Sequence, residues 1–215
     1  MAIKSLYKGA EGEITEKKSR FIATLKPVKT EEEAVAFFNE MKKKYWDARH
    51  NCTAFVLGAK QELTRSSDDG EPSGTAGRPM LDVLVKEGVT DVAVVVTRYF
   101  GGVLLGTGGL VRAYQQAVSE GLRHCQVIEK KAGMKLSVQT DYNGLGKLQY
   151  LFAQQEIPVL DISYTDQVVI QIVIEAERCG EIEKAITEKT SGTAGITRDG
   201  ECTFAMLDGA PHLFD

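Results

Sequence analysis

A glycine-rich segment at residues 97–112 lies between an apolar run and an amphipathic one, where it could bind an anion. Its glycines are Gly101, Gly102, Gly106, Gly108 and Gly109. Glycine allows backbone N–H groups to approach an anion at a helix N-terminus, so the segment predicts a phosphate-binding loop. Arg98 and Arg112 flank the loop, and a guanidinium fork suits phosphate oxygens. The alternative is that these glycines only permit tight turns and close helix packing.

The segment departs from both common nucleotide-binding fingerprints. No lysine follows its glycines as one does in the P-loop, and residues 106–111 (GTGGLV) lack the third glycine of the GxGxxG pattern. Phosphate is therefore the expected class of ligand, and no cofactor is predicted.

A second polar loop, residues 65–78, carries clustered carboxylates and hydroxyls. The candidate binding residues there are Asp68, Asp69, Glu71, Ser73 and Thr75, followed by Arg78. Clustered carboxylates could hold Mg²⁺, but the spacing does not fit the EF-hand pattern. A turn built from Asp, Gly and Pro, with oxygens that cap N–H groups, is the favoured interpretation, so no metal site is predicted. Arg78 is either a third phosphate ligand or a partner for the loop carboxylates.

Histidine and cysteine offer few catalytic candidates, because the chain has only three histidines and four cysteines. His50 lies directly before a predicted strand and Cys52 at its start, but alternate strand residues share a face without facing each other, so their expected role is structural. Tyr114 falls on the apolar face of a helix, where we expect core packing with a hydrogen-bonded hydroxyl. No catalytic residue is predicted.

The elements around these loops follow from the periodicity of apolar residues. Residues 91–97 (DVAVVVT) are apolar on both faces and rich in β-branched side chains, which predicts a central strand covered on both sides. Residues 110–122 carry apolar side chains at helical spacing, which predicts the helix that follows the glycine-rich loop. Residues 14–28 and 52–57 predict two further strands, and a capping box at Thr30 predicts the start of another helix.

The pattern changes at residue 131. From there, strand and helix signals follow one another as β-α-β-β-α-β, which is the split βαβ order of a ferredoxin-like domain. Residues 129–133 (EKKAG) offer a short polar joint, so we predict domains at 1–130 and 131–215.

Composition and charge limit the function classes. The 215 residues are 43% hydrophobic and 26% charged, as in a folded globular protein, and no apolar run is long enough to span a membrane. No secretory signal is evident, so the expected location is the cytoplasm. Residues 1–130 carry 19 basic and 17 acidic side chains, whereas residues 131–215 carry 7 and 13. A nucleic-acid face would belong to the first domain, although a net charge of +2 does not predict one by itself.

Three segments closely resemble the IMPACT (YigZ-like) family in its bacterial two-domain form. They are residues 68–77 (DDGEPSGTAG), 97–102 (TRYFGG) and 105–114 (LGTGGLVRAY), and the resemblance extends over nearly the whole chain. Residues 48–50 (ARH) match too, although the family more often has another residue in place of Arg49.

The resemblance implies an α+β fold in two parts. The N-terminal part would be an α/β sandwich of the ribosomal-protein and elongation-factor-G domain IV type, and the ferredoxin-like C-terminal part would be similar to domain V of that factor. Eukaryotic relatives act in translation control by binding a large activator of an initiation-factor kinase, through an N-terminal domain that is not expected here. For bacterial relatives the resemblance implies RNA or ribosome binding, and it assigns no catalytic residue.

The leading hypothesis is an RNA- or ribosome-associated binding protein with a role in translation regulation, whose glycine-rich loops and three arginines hold phosphates. One alternative is a phosphate- or nucleotide-binding enzyme of the small-molecule kinase kind, with the loop carboxylates on Mg²⁺. Neither loop contains the lysine that such a kinase would use. Another alternative is a protein-interaction module with a protein partner. No membrane partner is expected.

Overall fold

The computed structural model describes residues 2–214, which form a first unit, Ile3–Ile128, and a second unit that begins at Glu129. The first unit contains, in chain order, β1 (Ile3–Lys8), β2 (Glu11–Glu16), β3 (Ser19–Pro27), α1 (Glu31–Lys44), β4 (His50–Leu57), β5 (Leu63–Ser67), α2 (Gly77–Lys86), β6 (Val89–Thr90), β7 (Val92–Tyr99) and α3 (Thr107–His124). The remaining elements are β8 (Gln126–Thr140), α4 (Tyr142–Gln154), β9 (Val159–Tyr164), β10 (Val168–Glu175), a 3-10 turn (Ala176–Arg178), α5 (Cys179–Lys189), β11 (Gly195–Leu207) and β12 (Ala210–Phe214). Within residues 2–214, no helix is both long and apolar enough to cross a membrane.

The central strand of the first unit is β7, as the sequence predicts. The sheet order is β2-β3-β7-β4-β5, and each neighbouring pair is antiparallel. Val92, Val94 and Val96 are buried with side chains of α2 and α3. Ala93 and Val95 are buried with side chains of α1. Helices therefore cover both faces of the strand that leads into the glycine-rich loop.

The capping box of α1 forms with one difference from the expected pattern. The Thr30 hydroxyl accepts the Glu33 N–H at 3.2 Å, as predicted. The Glu33 carboxylate accepts the N–H of Lys29 at 2.7 Å, one residue before the cap. Both side chains satisfy donors at the helix start, where the backbone itself supplies no acceptor.

The predicted single strand at residues 14–28 is wrong. Two strands, β2 and β3, occupy this region as a hairpin, with Glu16 opposite Ser19. Its turn residues, Lys17 and Lys18, have φ values of 44° and 68°, the left-handed conformation that a two-residue hairpin turn requires. Glycine and asparagine usually mark such turns, so two lysines gave no turn signal.

Four other strands, β1, β5, β6 and β12, were not predicted. The polar loop expected from residue 65 starts only after β5, an exposed edge strand paired with β4. Strand β1 pairs in parallel with the two-residue β6, and β12 adds a hairpin to β11. Strand β5 is exposed along its whole length and β6 has only two residues, so neither gives a periodic signal in the sequence.

The second unit has the predicted ferredoxin-like arrangement. Its elements follow the order β8-α4-β9-β10-α5-β11, and the strands lie in the order β9-β10-β8-β11-β12 with antiparallel neighbours. Asp141 caps α4 by accepting the Gly144 N–H at 2.7 Å. The predicted α+β class is confirmed. The domain boundary stays a prediction, and the residues expected to form a polar joint, 129–133, lie within β8.

Candidate functional site

The loop between β7 and α3 leaves backbone donors without acceptors at the start of α3. Gly106 is the N-cap, with φ at 72°, and its carbonyl accepts the Leu110 N–H at 3.0 Å. The N–H groups of Thr107, Gly108 and Gly109 belong to the first helical turn, which has no intrahelical acceptor. Among residues 2–214 no other acceptor reaches them. This helix start therefore presents three free donors and the positive end of the helix dipole.

The loop glycines divide between the two interpretations that the sequence leaves open. At Gly101 a β-carbon would lie 2.1 Å from the carbonyl of Lys18, and the Gly101 N–H is donated to the Ser19 hydroxyl at 3.1 Å. Gly101 therefore permits close packing against the β2–β3 turn. Gly102 has a φ of 84°, which favours glycine in the backbone itself. At Gly108, by contrast, the nearest atom to a β-carbon lies 4.0 Å away, so packing does not require glycine there.

Arg98 forms a buried ion pair with Glu71 that joins the two polar loops. Its Nη1 lies 2.7 Å from Glu71 Oε1, and the side chains are 7% and 3% exposed. The Tyr114 hydroxyl donates to the same carboxylate oxygen at 2.7 Å, and the Cys52 thiol donates to that hydroxyl at 3.3 Å. Tyr114 is fully buried in the core with a hydrogen-bonded hydroxyl, as predicted. The network therefore fixes the loop of residues 68–78 against β7 and α3.

Burial sets the protonation of this network. Desolvation is the main reason why the pKa of the Tyr114 hydroxyl is raised well above its ordinary value, and the neighbouring Cys52 and Glu71 raise it further. Desolvation also raises the pKa of the Cys52 thiol. Both groups therefore stay protonated near neutral pH, and Cys52 is not a thiolate nucleophile.

The guanidinium of Arg98 retains unused donors. Only Nη1 has an acceptor among the described residues, and Nε is sealed from solvent without one. Arg98 Cζ lies 5.4 Å from the centroid of the Phe21 ring and 5.6 Å from that of Phe100. The rings and Glu71 hold the guanidinium in place, which suits a preorganised binding group.

A cleft of about 410 Å³ brings Arg98 and the start of α3 together. Besides these, it is lined by Arg49, His50, Glu71, Phe100 and Leu104. His50 Nδ1 lies 2.9 Å from the carbonyl oxygen of Asp69, and because a carbonyl only accepts, Nδ1 carries the proton. Arg49, His50 and Phe100 line the cleft but were not among the predicted binding residues, and the hydrogen bond of His50 agrees with the structural role expected for it. The ARH and TRYFGG segments were the available signal.

Asp68 has a structural role at the start of α2. Its carboxylate accepts the N–H groups of Gly74, Ala76 and Gly77 at 2.8, 3.0 and 2.8 Å. Burial raises the pKa of this carboxyl, but the three N–H donors outweigh burial and hold the pKa below its ordinary value. The predicted turn with capping oxygens is therefore confirmed.

The other loop carboxylates are also occupied. Asp69 accepts the Asn51 N–H at 2.8 Å, and Glu71 is bound to Arg98 and Tyr114. Among residues 2–214, no group of three or more potential ligand side chains could hold a metal ion. The carboxylates that the kinase hypothesis assigned to Mg²⁺ thus serve the protein's own N–H, guanidinium and hydroxyl donors.

The remaining candidate residues lie outside the cleft lining. The Thr75 hydroxyl donates to the Pro72 carbonyl at 2.6 Å, and Ser73 is exposed. Arg78 forms an exposed ion pair with Asp82 at 2.8 Å. Arg112 is exposed on the first turns of α3 and has no ion pair with any described residue. Of the three predicted arginines, only Arg98 lines the cleft.

Comparison with known proteins places this site in a family. The model of the Impact N-terminal domain matches residues 17–122, and that of a domain of unknown function, DUF1949, matches residues 138–193. YvyE, an IMPACT family member of Bacillus subtilis strain 168, is 43% identical over 200 residues, 93% of this chain and 92% of YvyE. The chain belongs to the IMPACT family.

Other IMPACT proteins match over similar lengths. YigZ of Escherichia coli K12 is 37% identical over 179 residues, 82% of this chain and 88% of YigZ. A crystal structure described only as that of a hypothetical protein is 34% identical, covers 91% of this chain and 96% of its own, and aligns with a TM-score of 0.58. The matched Impact domain contains every predicted binding residue, and the family resemblance is confirmed.

Proposed function

We propose that this IMPACT family protein is a cytoplasmic RNA- or ribosome-associated protein that acts in translation regulation, with phosphates bound at the glycine-rich loop. The observation that carries the proposal is the position of Arg98 and the free Thr107 N–H in the lining of one cleft, next to the free N–H groups of Gly108 and Gly109 in the same helical turn. The translational part rests on the family resemblance, which implies translation control for eukaryotic relatives.

Charge near the loop supports an RNA face on the first unit. The backbone of Lys18 lies directly against Gly101, so the exposed Lys17–Lys18 turn borders the glycine-rich loop. Arg49 lies at the cleft and Arg112 on the following helix, both exposed. Few cations are involved, so binding should be weak, and its dependence on salt should be shallow because few phosphates are neutralised.

No observation of similar weight supports the kinase-like function or the protein-interaction module. The kinase-like function needs a carboxylate for Mg²⁺, whereas Asp68 and Asp69 accept backbone N–H groups. The protein-interaction module would not require unpaired donors beside a buried guanidinium. An anion explains both features, and RNA supplies it as phosphate.

The proposal is tested by fluorescence anisotropy with labelled single-stranded RNA and by co-sedimentation with ribosomes, each from about 50 to about 200 mM salt. Arg49→Ala and Arg112→Ala should each weaken RNA binding. Each should also reduce the slope of log K against log salt by about 0.7, one phosphate contact on a single strand. Arg123→Ala is the matched control, because Arg123 is an exposed arginine at the other end of α3.

The control should bind RNA as the unsubstituted protein does. The absence of RNA and ribosome binding at low salt, together with nucleotide binding, would overturn the proposal and favour the kinase-like function. Equal losses in all three arginine variants would mean that binding depends on net charge and has no site at the loop.

A further inference from the structure

Large apolar side chains are exposed together at the end of the first unit where β7 ends. Trp46 and Leu104 are each 82% exposed, more than any other large hydrophobic side chain in residues 2–214, and Phe100 is 51% exposed. A single exposed apolar residue needs no explanation, but several at one place mark an interaction site. We refer to Trp46, Phe100 and Leu104 as the apolar tip.

Contacts at the end of β7 bring the members of the apolar tip to one place. The Tyr99 hydroxyl donates to Asp47 Oδ1 at 2.8 Å, which holds the segment after α1 against the end of β7. Trp46 and Phe100 are the chain neighbours of these two bonded residues. Leu104 and Phe100 line the same cleft. Two aromatic rings and a leucine therefore project from adjoining segments of the fold.

Unpaired cations lie beside the apolar tip. The backbone of Lys18 packs against that of Gly101, so the exposed Lys17–Lys18 turn adjoins Phe100. Arg49, three residues after Trp46, lines the cleft with Phe100. Among residues 2–214, none of these three cations forms an ion pair. They are free to contact the phosphates of a bound strand.

Charge alone gives this surface little affinity for an anion. Glu16 and Asp47 lie at the same end of the first unit, so three cations face two carboxylates there. The nearby Arg20 and Lys42 are already paired with Glu13 and Asp69. Most of the affinity must therefore come from the apolar tip.

The residue types favour a nucleic acid over a protein as the occupant. Tryptophan, phenylalanine and arginine occur at both kinds of interface, but lysine is depleted where proteins bind proteins. Lysines next to exposed aromatic rings match a single strand of nucleic acid, whose bases stack on the rings while its phosphates meet the cations. Bases within a duplex are already stacked and paired, so their faces are not available to a side chain.

We propose that the apolar tip binds unpaired bases of single-stranded RNA, with Trp46 and Phe100 as stacking surfaces and Lys17, Lys18 and Arg49 at the phosphates. The inference rests on the proposed RNA binding, and it names the class of RNA and the part of the RNA that is bound.

The first experiment follows the fluorescence of Trp46, which is the only tryptophan of the chain, in the full-length protein. The probes are a short oligoadenylate, an abasic oligomer of the same length and charge, and an RNA hairpin whose stem has that length. We expect the oligoadenylate to quench the fluorescence saturably and to bind about 10-fold or more tightly than the abasic oligomer, because each stacked base contributes about that factor. The hairpin stem should cause little quenching.

Substitution of Trp46 separates stacking from phosphate contact. Trp46→Ala should weaken binding of the oligoadenylate, measured by anisotropy, by about 10-fold and leave the slope of log K against log salt unchanged. Trp46→Phe keeps a flat ring and should retain most of the affinity. Tyr150→Ala is the matched control, because Tyr150 is an aromatic residue of the second unit that is 62% exposed, and it should bind as the unsubstituted protein does.

The outcomes separate this inference from the proposed function. Equal affinity for the oligoadenylate and the abasic oligomer would overturn the inference and leave RNA binding through phosphates intact. Unchanged RNA affinity in Trp46→Ala, together with lost co-sedimentation with ribosomes, would overturn it in favour of a protein partner at the apolar tip. The absence of any RNA or ribosome binding would overturn both. Trp46 is exposed, so Trp46→Ala should fold, and thermal unfolding checks this.

Discussion

Replacing Arg98 with methionine should remove about 3–5 kcal/mol from the unfolding free energy, because it leaves the buried Glu71 carboxylate without its cation. Glu71 would retain one charge-assisted hydrogen bond, from the Tyr114 hydroxyl. That bond is worth about 1.5–3 kcal/mol, which is less than the cost of burying an unpaired charge. Methionine preserves apolar contact with the rings of Phe21 and Phe100. The measured loss of unfolding free energy is therefore due to the broken ion pair and not to a cavity.

The double variant Arg98→Met/Glu71→Leu should recover part of this loss, and the remainder is the cost of about 1–3 kcal/mol for leaving the Tyr114 hydroxyl without its acceptor. Two apolar side chains need no desolvated partner, and such replacements of buried ion pairs are often neutral or stabilising. Glu71→Leu alone should also be destabilised, because it leaves the buried Arg98 guanidinium without its carboxylate partner. The two single changes are thus expected to be strongly non-additive, with a coupling of about 2 kcal/mol or more.

Urea unfolding followed by circular dichroism measures each variant. With an m-value of about 2 kcal/mol/M, a loss of 4 kcal/mol moves the midpoint by about 2 M. Arg123→Met is the control, since Arg123 is exposed and paired within its own helix, and it should change stability by less than about 0.5 kcal/mol. A loss below about 1 kcal/mol for Arg98→Met, or a double variant as unstable as the two single losses combined, would refute the reasoning.

Asp68→Asn should cost about 1–2 kcal/mol at pH 7, because an amide has one acceptor oxygen for three N–H groups. The folded-state pKa of Asp68 is depressed, so its stabilisation is present above the ordinary value of about 3.9 and is lost as pH falls through the folded value. Urea unfolding at several pH values should show variant and parent converging in acid, and a constant difference would count against this. Gly101→Ala should destabilise by about 1–3 kcal/mol, because its β-carbon would lie 2.1 Å from the Lys18 carbonyl; an unchanged Tm would contradict it. Cys52, held as a thiol by burial, should react with iodoacetamide only after denaturation, and rapid native labelling detected by mass spectrometry would be the contrary result.

Periodicity predicted the elements that bury a continuous face. The helix that follows the glycine-rich loop has apolar residues at helical spacing, and Leu110, Ala113, Tyr114, Ala117 and Val118 are all buried. Strand β7 is apolar on both faces and is covered on both faces. The ferredoxin-like order emerged in the same way, because each of its strands and helices contributes to one core.

Elements whose conformation depends on contacts distant in sequence were less predictable. The Lys17–Lys18 turn adopts left-handed backbone without the usual turn residues, so nothing local separated β2 from β3. The pairing of Arg98 with Glu71 joins residues 27 apart and depends on the loop between β5 and α2 folding back over β7. The sequence placed both residues among the candidates, but it could not show that Glu71 neutralises part of the positive charge of Arg98.

The two interpretations of the glycine-rich loop are compatible because they apply to different positions. Gly101 lets the loop pack against the β2–β3 turn, and that packing helps to fix where the chain enters α3. Gly106 then starts the helix in a left-handed conformation with no capping side chain, so the first-turn N–H groups remain free. A serine or aspartate cap there would satisfy one of those donors at once. The uncapped start leaves that stabilisation unused beside the cleft, and an anion bound there would satisfy the free Thr107 N–H.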